Sequence, residues 1–173
     1  MLQAFSDFLY IPWLGDLVVE WSWFWPICEM LHFIGLALLV GITGLYDLRL
    51  LGFAKSVPLA PLHRLMPWAL VGFGLSAITG FIFVTGNAFK PPIDLFLNLP
   101  FQLKMLFLAL AGANAAYFYL SPVHKAVRVL GPGEDTPRAA KVIAATSLGL
   151  WISIIYFGRM IPWEEAILYA LGR

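Results

Sequence analysis

The chain has 173 residues, of which 61% are hydrophobic and 12% charged, with a formal net charge of +1 and a mean hydropathy of +0.83. An ordinary soluble domain carries about 25% charged residues, so this composition indicates an integral membrane protein; the near-neutral charge, without a basic stripe, sets DNA and RNA aside as partners. The single cysteine, Cys28, excludes an internal disulfide and cannot make a zinc site alone.

Residues 1–22 form an N-terminal segment that mixes aromatic and apolar residues with Asp7, Asp16 and Glu20. It lacks the basic start of a cleavable signal peptide, and Pro12 and Gly15 break it, so it is expected to lie along the outer membrane surface as a pair of interfacial helices. Residues 23–163 follow as the membrane domain. Residues 30–46, 65–89, 105–123 and 142–158 contain no Asp, Glu, Lys or Arg, and a crossing takes about 20 residues, or about 17 at the short end. Backbone groups in hydrocarbon must be satisfied within the segment, so each run predicts a helix, at about 24–47, 65–87, 101–121 and 138–161. The expected fold is all-α: a four-helix antiparallel transmembrane bundle in which consecutive helices are neighbours. Residues 162–173 read as a second interfacial element.

The loop after the first span carries Arg49, Lys55 and Arg64, and the loop after the third carries Lys125, Arg128, Arg138 and Lys141. By the positive-inside rule both loops are cytoplasmic and both termini periplasmic, in a bacterial inner membrane. Trp21, Trp23, Trp25 and Trp163 then form an aromatic belt at the outer boundary.

Polar residues inside the spans narrow the function. Helical phase puts Cys28, Glu29, His32, Gly35, Leu39, Thr43 and Asp47 on one face of the first span, which must turn away from lipid. On the second span Gly72, Ser76 and Gly80 recur every fourth residue, suited to close helix approach or to a flat ligand. Lys104, Ala111, Ala115 and Phe118 align on the third span; Gly149, Ser153 and Tyr156 align on the fourth, with Arg159 near its outer end. Glu29, His32, Lys104, Tyr156 and Arg159 all fall in the outer third of the bundle. One reading is a register-fixing ion-pair layer, with Glu29 paired to Lys104 or Arg159. The other is a b-type haem site: His32 as axial ligand, cations for the propionates, and a slot lined by small residues on the second, third and fourth spans. No intramembrane histidine is available opposite His32, so the sixth position falls to Lys104, Met160, water or nothing.

At the cytoplasmic ends, His63 and His124 are expected to approach each other and are a candidate pair for a second haem. Asp47 is expected to pair with Arg49 or Arg64 and tie the first two spans together. Cys28 and His32, four residues apart, suggest copper only weakly, because two ligands make a poor site. Hydrolase and phosphate-loop motifs are missing.

The runs "HFIGLALLVGITGLYDLRLLG", "MPWALVGFGLSAITGFIF", "FQLKMLFLALAGANA" and "SLGLWISIIYFGRMI" resemble an uncharacterised family of small bacterial four-helix inner-membrane proteins. The likeness covers roughly residues 23–163 and rests on His32, the DLRLLG motif from Asp47 to Gly52, Pro67-Trp68, Thr79-Gly80, Lys104, Asn114 and Gly158-Arg159. It implies the fold and brings no activity. A histidine on the first span with a lysine on the third is also distantly similar to the haem-binding membrane protoporphyrinogen oxidases and to CopD-type copper-resistance membrane domains. The first likeness implies haem binding at His32 and a role for Lys104.

The expectation is therefore a small b-type haem protein with one haem b, bound by His32 with Lys104, Arg159, Glu29, Tyr156 and Asn114 around it. Its expected work is electron transfer between the quinone pool, or a lipophilic substrate, and a periplasmic partner. The alternatives are a non-catalytic accessory subunit of a larger membrane complex, with self-association open, and CopD-like copper handling.

Overall fold

A computed structural model describes residues 2–87 and 91–170. Expectations that fall on residue 1, residues 88–90 and residues 171–173 lie outside the described residues.

Two short helices open the chain, α1 (Leu2–Leu9) and α2 (Pro12–Glu20). Pro12 starts α2 at its first turn, where a missing N–H costs nothing. Four long helices then run back and forth: α3 (Phe24–Leu51), α4 (Leu59–Thr85), α6 (Leu99–Leu120) and α8 (Arg138–Met160), the last prolonged by a 3-10 turn at Ile161–Trp163. All four are long and apolar enough to cross a membrane. Shorter helices α5 (Pro92–Leu97), α7 (Pro122–Arg128) and α9 (Glu164–Ala170) flank them. Among the described residues there is no strand, and the expected all-α bundle of four membrane-length helices is the architecture found.

Several helix ends differ from expectation, and each has a local cause. The first long helix runs past residue 47 through the DLRLLG motif. Gly52 stops it in the left-handed conformation, φ 99°, with its N–H on the Leu48 and Arg49 carbonyls. That is the usual glycine C′ stop, so DLRLLG is the last turn of α3 and its terminator. Helix α4 begins at Leu59 rather than 65, after an extended Pro58, because charge-free runs mark the hydrocarbon crossing while helices continue into water. Asn98 caps α6 through the Phe101 N–H at 2.9 Å. Extended Ser121 followed by Pro122 separates α6 from α7.

Packing is uneven. Helix α3 lies against both α4 and α8, and α6 lies against α8, but α4 and α6 make no comparable contact. The expectation that all consecutive long helices are close neighbours is therefore not met: the second and third do not pack closely. The α3–α4 pairing is the tightest. A Cβ on Gly72 would lie 2.6 Å from the Gly35 carbonyl oxygen, and one on Gly35 would lie 2.7 Å from that of Gly72. These glycines let two backbones touch. Gly72 and Ser76 are thus occupied by the α3 crossing, not free to line a flat slot.

The best-buried apolar cluster sits at the end where α3 finishes and α4 begins, around Tyr46, Leu50, Leu59, Phe118, Val127 and Ala144. Beside it, two loops are tied together. Arg49 is wholly buried; its Nε donates to the Val57 carbonyl at 2.7 Å and Nη2 to that of Gly131 at 3.3 Å. The Gly133 N–H donates to the Lys55 carbonyl at 2.8 Å, and Asp135 bridges Lys55 (2.7 Å) and Lys141 (3.4 Å). The pairing expected for Asp47 is not found among the described residues. Its carboxyl is buried facing Ser147 on α8, Oδ2 has no partner, and Arg49 turns Nε and Nη2 to loop carbonyls while its Nη1 is likewise left without a partner.

Candidate functional site

His32 sits on α3 where that helix faces α4. Its Nδ1 lies 2.9 Å from Thr79 Oγ1. Thr79 is buried, and its one hydroxyl proton has helix carbonyls within reach, Leu75 at 2.8 Å and Ser76 at 3.2 Å. A threonine that donates to its own helix can only accept from the imidazole. With the hydroxyl proton placed on a helix carbonyl, Nδ1 carries the imidazole proton and Nε2 the lone pair. Nε2 takes no hydrogen bond among the described residues. A second tie holds the backbone, with Ser76 Oγ donating to the His32 carbonyl at 3.2 Å. The ring's Cε1 faces Gly80, close enough that an added Cβ would touch it at 3.5 Å. Phe83 lies at a ring-centre distance of 5.4 Å.

Lys104, half-buried on α6, is within electrostatic reach of His32. Its aliphatic end runs beside Gly158 of α8, where an added Cβ would meet Cδ, Cε and Nζ at 3.6 Å. The structure thus brings His32 of α3 and Lys104 of α6 within electrostatic reach of each other.

The other expected site residues are less engaged. Glu29 is exposed and accepts from Trp25 Nε1 at 3.1 Å on its own helix. Among the described residues it forms no ion pair with Lys104 or Arg159, because the ion pairs found there are those of Asp135. Arg159 and Tyr156 are exposed, and Tyr156 packs edge-on to Phe157. Asn114 donates from Nδ2 to the Ile143 carbonyl at 3.2 Å. It lies ten residues beyond Lys104 on one helix, about 15 Å deeper at 1.5 Å per residue. Asn114 is therefore a clasp between α6 and α8, away from the His32 layer. The strip expected on α8 is also open: Gly149 has no neighbour against its Cβ position, and Ser153 turns back onto the Gly149 carbonyl at 2.8 Å.

Glu164 was not anticipated. Its Oε1 accepts from the Leu99 N–H at 2.6 Å and its Oε2 from Asn98 Nδ2 at 2.8 Å, which latches the segment after α8 to the start of α6. An acid at a helix N-terminus satisfies orphan donors and the helix dipole, but its distance in sequence from α6 hid the pairing. At the other end of the bundle, His63 and His124 do approach, with ring centres 5.5 Å apart. Cys28 is buried and free. Among the described residues no group of three or more His, Cys, Asp or Glu is gathered to hold a metal ion. No protein-family profile, curated protein or solved structure matches the chain.

Proposed function

We propose that this is a b-type haem protein of the bacterial inner membrane, with His32 Nε2 as the axial ligand. The observation that carries the reading is the Thr79–His32 hydrogen bond, which fixes the tautomer and leaves Nε2 unshared. A ligating histidine usually has its other nitrogen held by an acceptor. Three further features fit the group: Gly80 at the ring edge, Phe83 as an apolar wall, and Lys104 as a cation for a propionate or as the sixth ligand. The α4 and α6 helices do not pack closely, in contrast to the Gly35–Gly72 crossing. When bound, the haem supplies one-electron chemistry. The chain's residues hold the imidazole, offer a charge to the carboxylates and keep water from the ring face. Electrons pass between the quinone pool, or a lipophilic substrate, and a periplasmic partner, with the cationic loops cytoplasmic.

The test is an absorption spectrum, oxidised and dithionite-reduced, of detergent-purified protein, with a pyridine haemochrome assay. Wild type is expected to show a Soret band and sharp reduced α and β bands. His32→Ala is expected to lose them while remaining a folded monodisperse species, and Thr79→Val to retain haem about 10- to 100-fold less tightly. A full Soret band in folded His32→Ala removes His32 from the site.

A second reading is supported by the lack of close packing between α4 and α6: an accessory subunit whose larger partner packs against them. A colourless protein from haem-replete cells that comigrates with a larger membrane complex favours it.

A further inference from the structure

His63 and His124 stand apart from the His32 layer, at the end of the bundle that carries the cationic loops. His63 is in the second turn of α4, where Pro67 offers no N–H to its carbonyl. His124 is in α7, wedged among Phe118 and Tyr119, with ring centres at 5.3 and 4.9 Å. Each histidine has one ring nitrogen sealed from solvent with no partner, Nδ1 of His63 and Nε2 of His124. A buried imidazole nitrogen left bare costs about 1–3 kcal/mol, and here two rings with such a nitrogen have their centres 5.5 Å apart.

We propose that His63 and His124 together bind one borderline transition-metal ion, of the zinc, nickel or copper type. With metal–nitrogen bonds of about 2.0–2.1 Å, two imidazoles on one ion put their ring centres about 5 Å apart at a tetrahedral angle and about 6 Å apart when opposed. The observed 5.5 Å falls within that span. A haem between the rings needs the opposed arrangement and a clear plane, whereas the rings lie only 38° from parallel and Phe118 and Tyr119 pack against His124. The pair thus suits an ion better than a macrocycle. Burial, then His63, then Arg128 push the His124 pKa below its ordinary value. Arg128 also means that charge attraction does not draw the ion in. Selection rests on imidazole donors, which favour zinc, nickel and copper over calcium and magnesium. With two protein donors the ion is held less firmly than at a three- or four-ligand zinc site.

The test uses the full-length protein in detergent, loaded with Cu2+ as probe and read by pulsed EPR for imidazole nitrogen couplings, with Zn2+ titrated separately against thermal stability. Wild type is expected to take one tight ion per chain with two coupled imidazoles, and Zn2+ to raise its Tm. His63→Asn and His124→Asn are each expected to weaken binding at least tenfold and to leave one coupling. Because His32 is also an imidazole, the measurement is repeated in His32→Ala, where the two-imidazole signal is expected to persist; that separates this site from the haem proposal. A signal lost in His32→Ala, binding unaltered in the His63→Asn/His124→Asn double variant, or no tight Cu2+ uptake by wild type overturns it. Should an Asn variant fail to fold, His63→Gln and His124→Gln serve instead, each checked by gel filtration before loading.

Discussion

The two ends of the bundle solve the same problem differently. Both bury polar groups at a membrane boundary. At the end where α3 finishes, Arg49 is sealed and its Nε and Nη2 meet loop carbonyls, while Asp135 joins both loops and an apolar cluster packs beneath. At the opposite end, His32 is tied through one nitrogen only, Lys104 is half-buried, and Glu29, Tyr156 and Arg159 face outward. The first end ties its loops through Arg49 yet leaves Arg49 Nη1, Asp47 Oδ2 and one nitrogen each of His63 and His124 buried without a partner; the other latches α6 through Glu164 and leaves His32 Nε2 without a hydrogen bond among the described residues. Preorganised but unsatisfied groups cost stability and make sense where a ligand completes them, and the knotted end provides the rigidity they need.

The sharpest way to break this division is at the waist, where α3 meets α4. Gly72→Leu forces a side chain into the Gly35 backbone, with no flexible neighbour to give way. Overpacking costs about 1–3 kcal/mol even where side chains can move, and here a backbone stands in the way. The expected outcome is loss of monodisperse protein on gel filtration and of both ends' properties together. A Gly72→Leu protein with unchanged Tm would mean that α3 and α4 do not cross at these glycines.

Next in size is Arg49→Ala. It removes two part-buried hydrogen bonds to loop carbonyls and the tie between the loops, an expected loss of about 1–3 kcal/mol. Loop proteolysis should quicken, while the His32 layer, at the far end of α3, keeps its ligand-binding properties. A haem spectrum that collapsed with the loops would merge the two ends into one unit.

Why some of this was legible in the sequence and some was not follows from what each signal measures. Four charge-free runs had to be helices, because hydrocarbon offers the backbone no other partner, and the face of α3 from Cys28 to Asp47 was legible for the same reason. Its one exception, Glu29, lies at the helix end, where exposure is cheap. Gly72 and Ser76 were ambiguous, since small residues serve close packing and flat ligands equally, and only the Gly35 backbone decides between them. Thr79 was visible as part of a motif but not as the partner of His32, because register between helices is not written in either one. The same limit concealed Glu164 on Asn98 and gave Asp47 an ion pair that is not found among the described residues.

Asp47→Asn follows in size. The expected ion pair would make this change costly, whereas the structure gives the carboxyl only Ser147 and leaves Oδ2 bare. An amide keeps an acceptor and removes a buried charge, so stability should stay within about 1 kcal/mol of wild type or rise. A thermal melt showing a loss of several degrees would restore a hidden cation to this position.

The smallest effect is expected from Asp135→Asn. Hydrogen bonds from Lys55 and then Lys141 hold the Asp135 carboxyl below its ordinary pKa of 3.8. A carboxylate bound more tightly to its cations in the folded state takes up protons less readily there than when unfolded. Its contribution is therefore complete above about pH 4 and is lost as pH falls through the depressed folded value. The cluster is exposed, with side-chain exposures of 44% for Lys55 and 66% for Asp135, so solvent screens it. The Tm difference between Asp135→Asn and wild type should be slight at pH 7, vanish in high salt and vanish again in strong acid. A large salt-resistant difference would show that Asp135 secures the loops as firmly as Arg49 does, and would move the rigid end's anchor from the buried guanidinium to its surface.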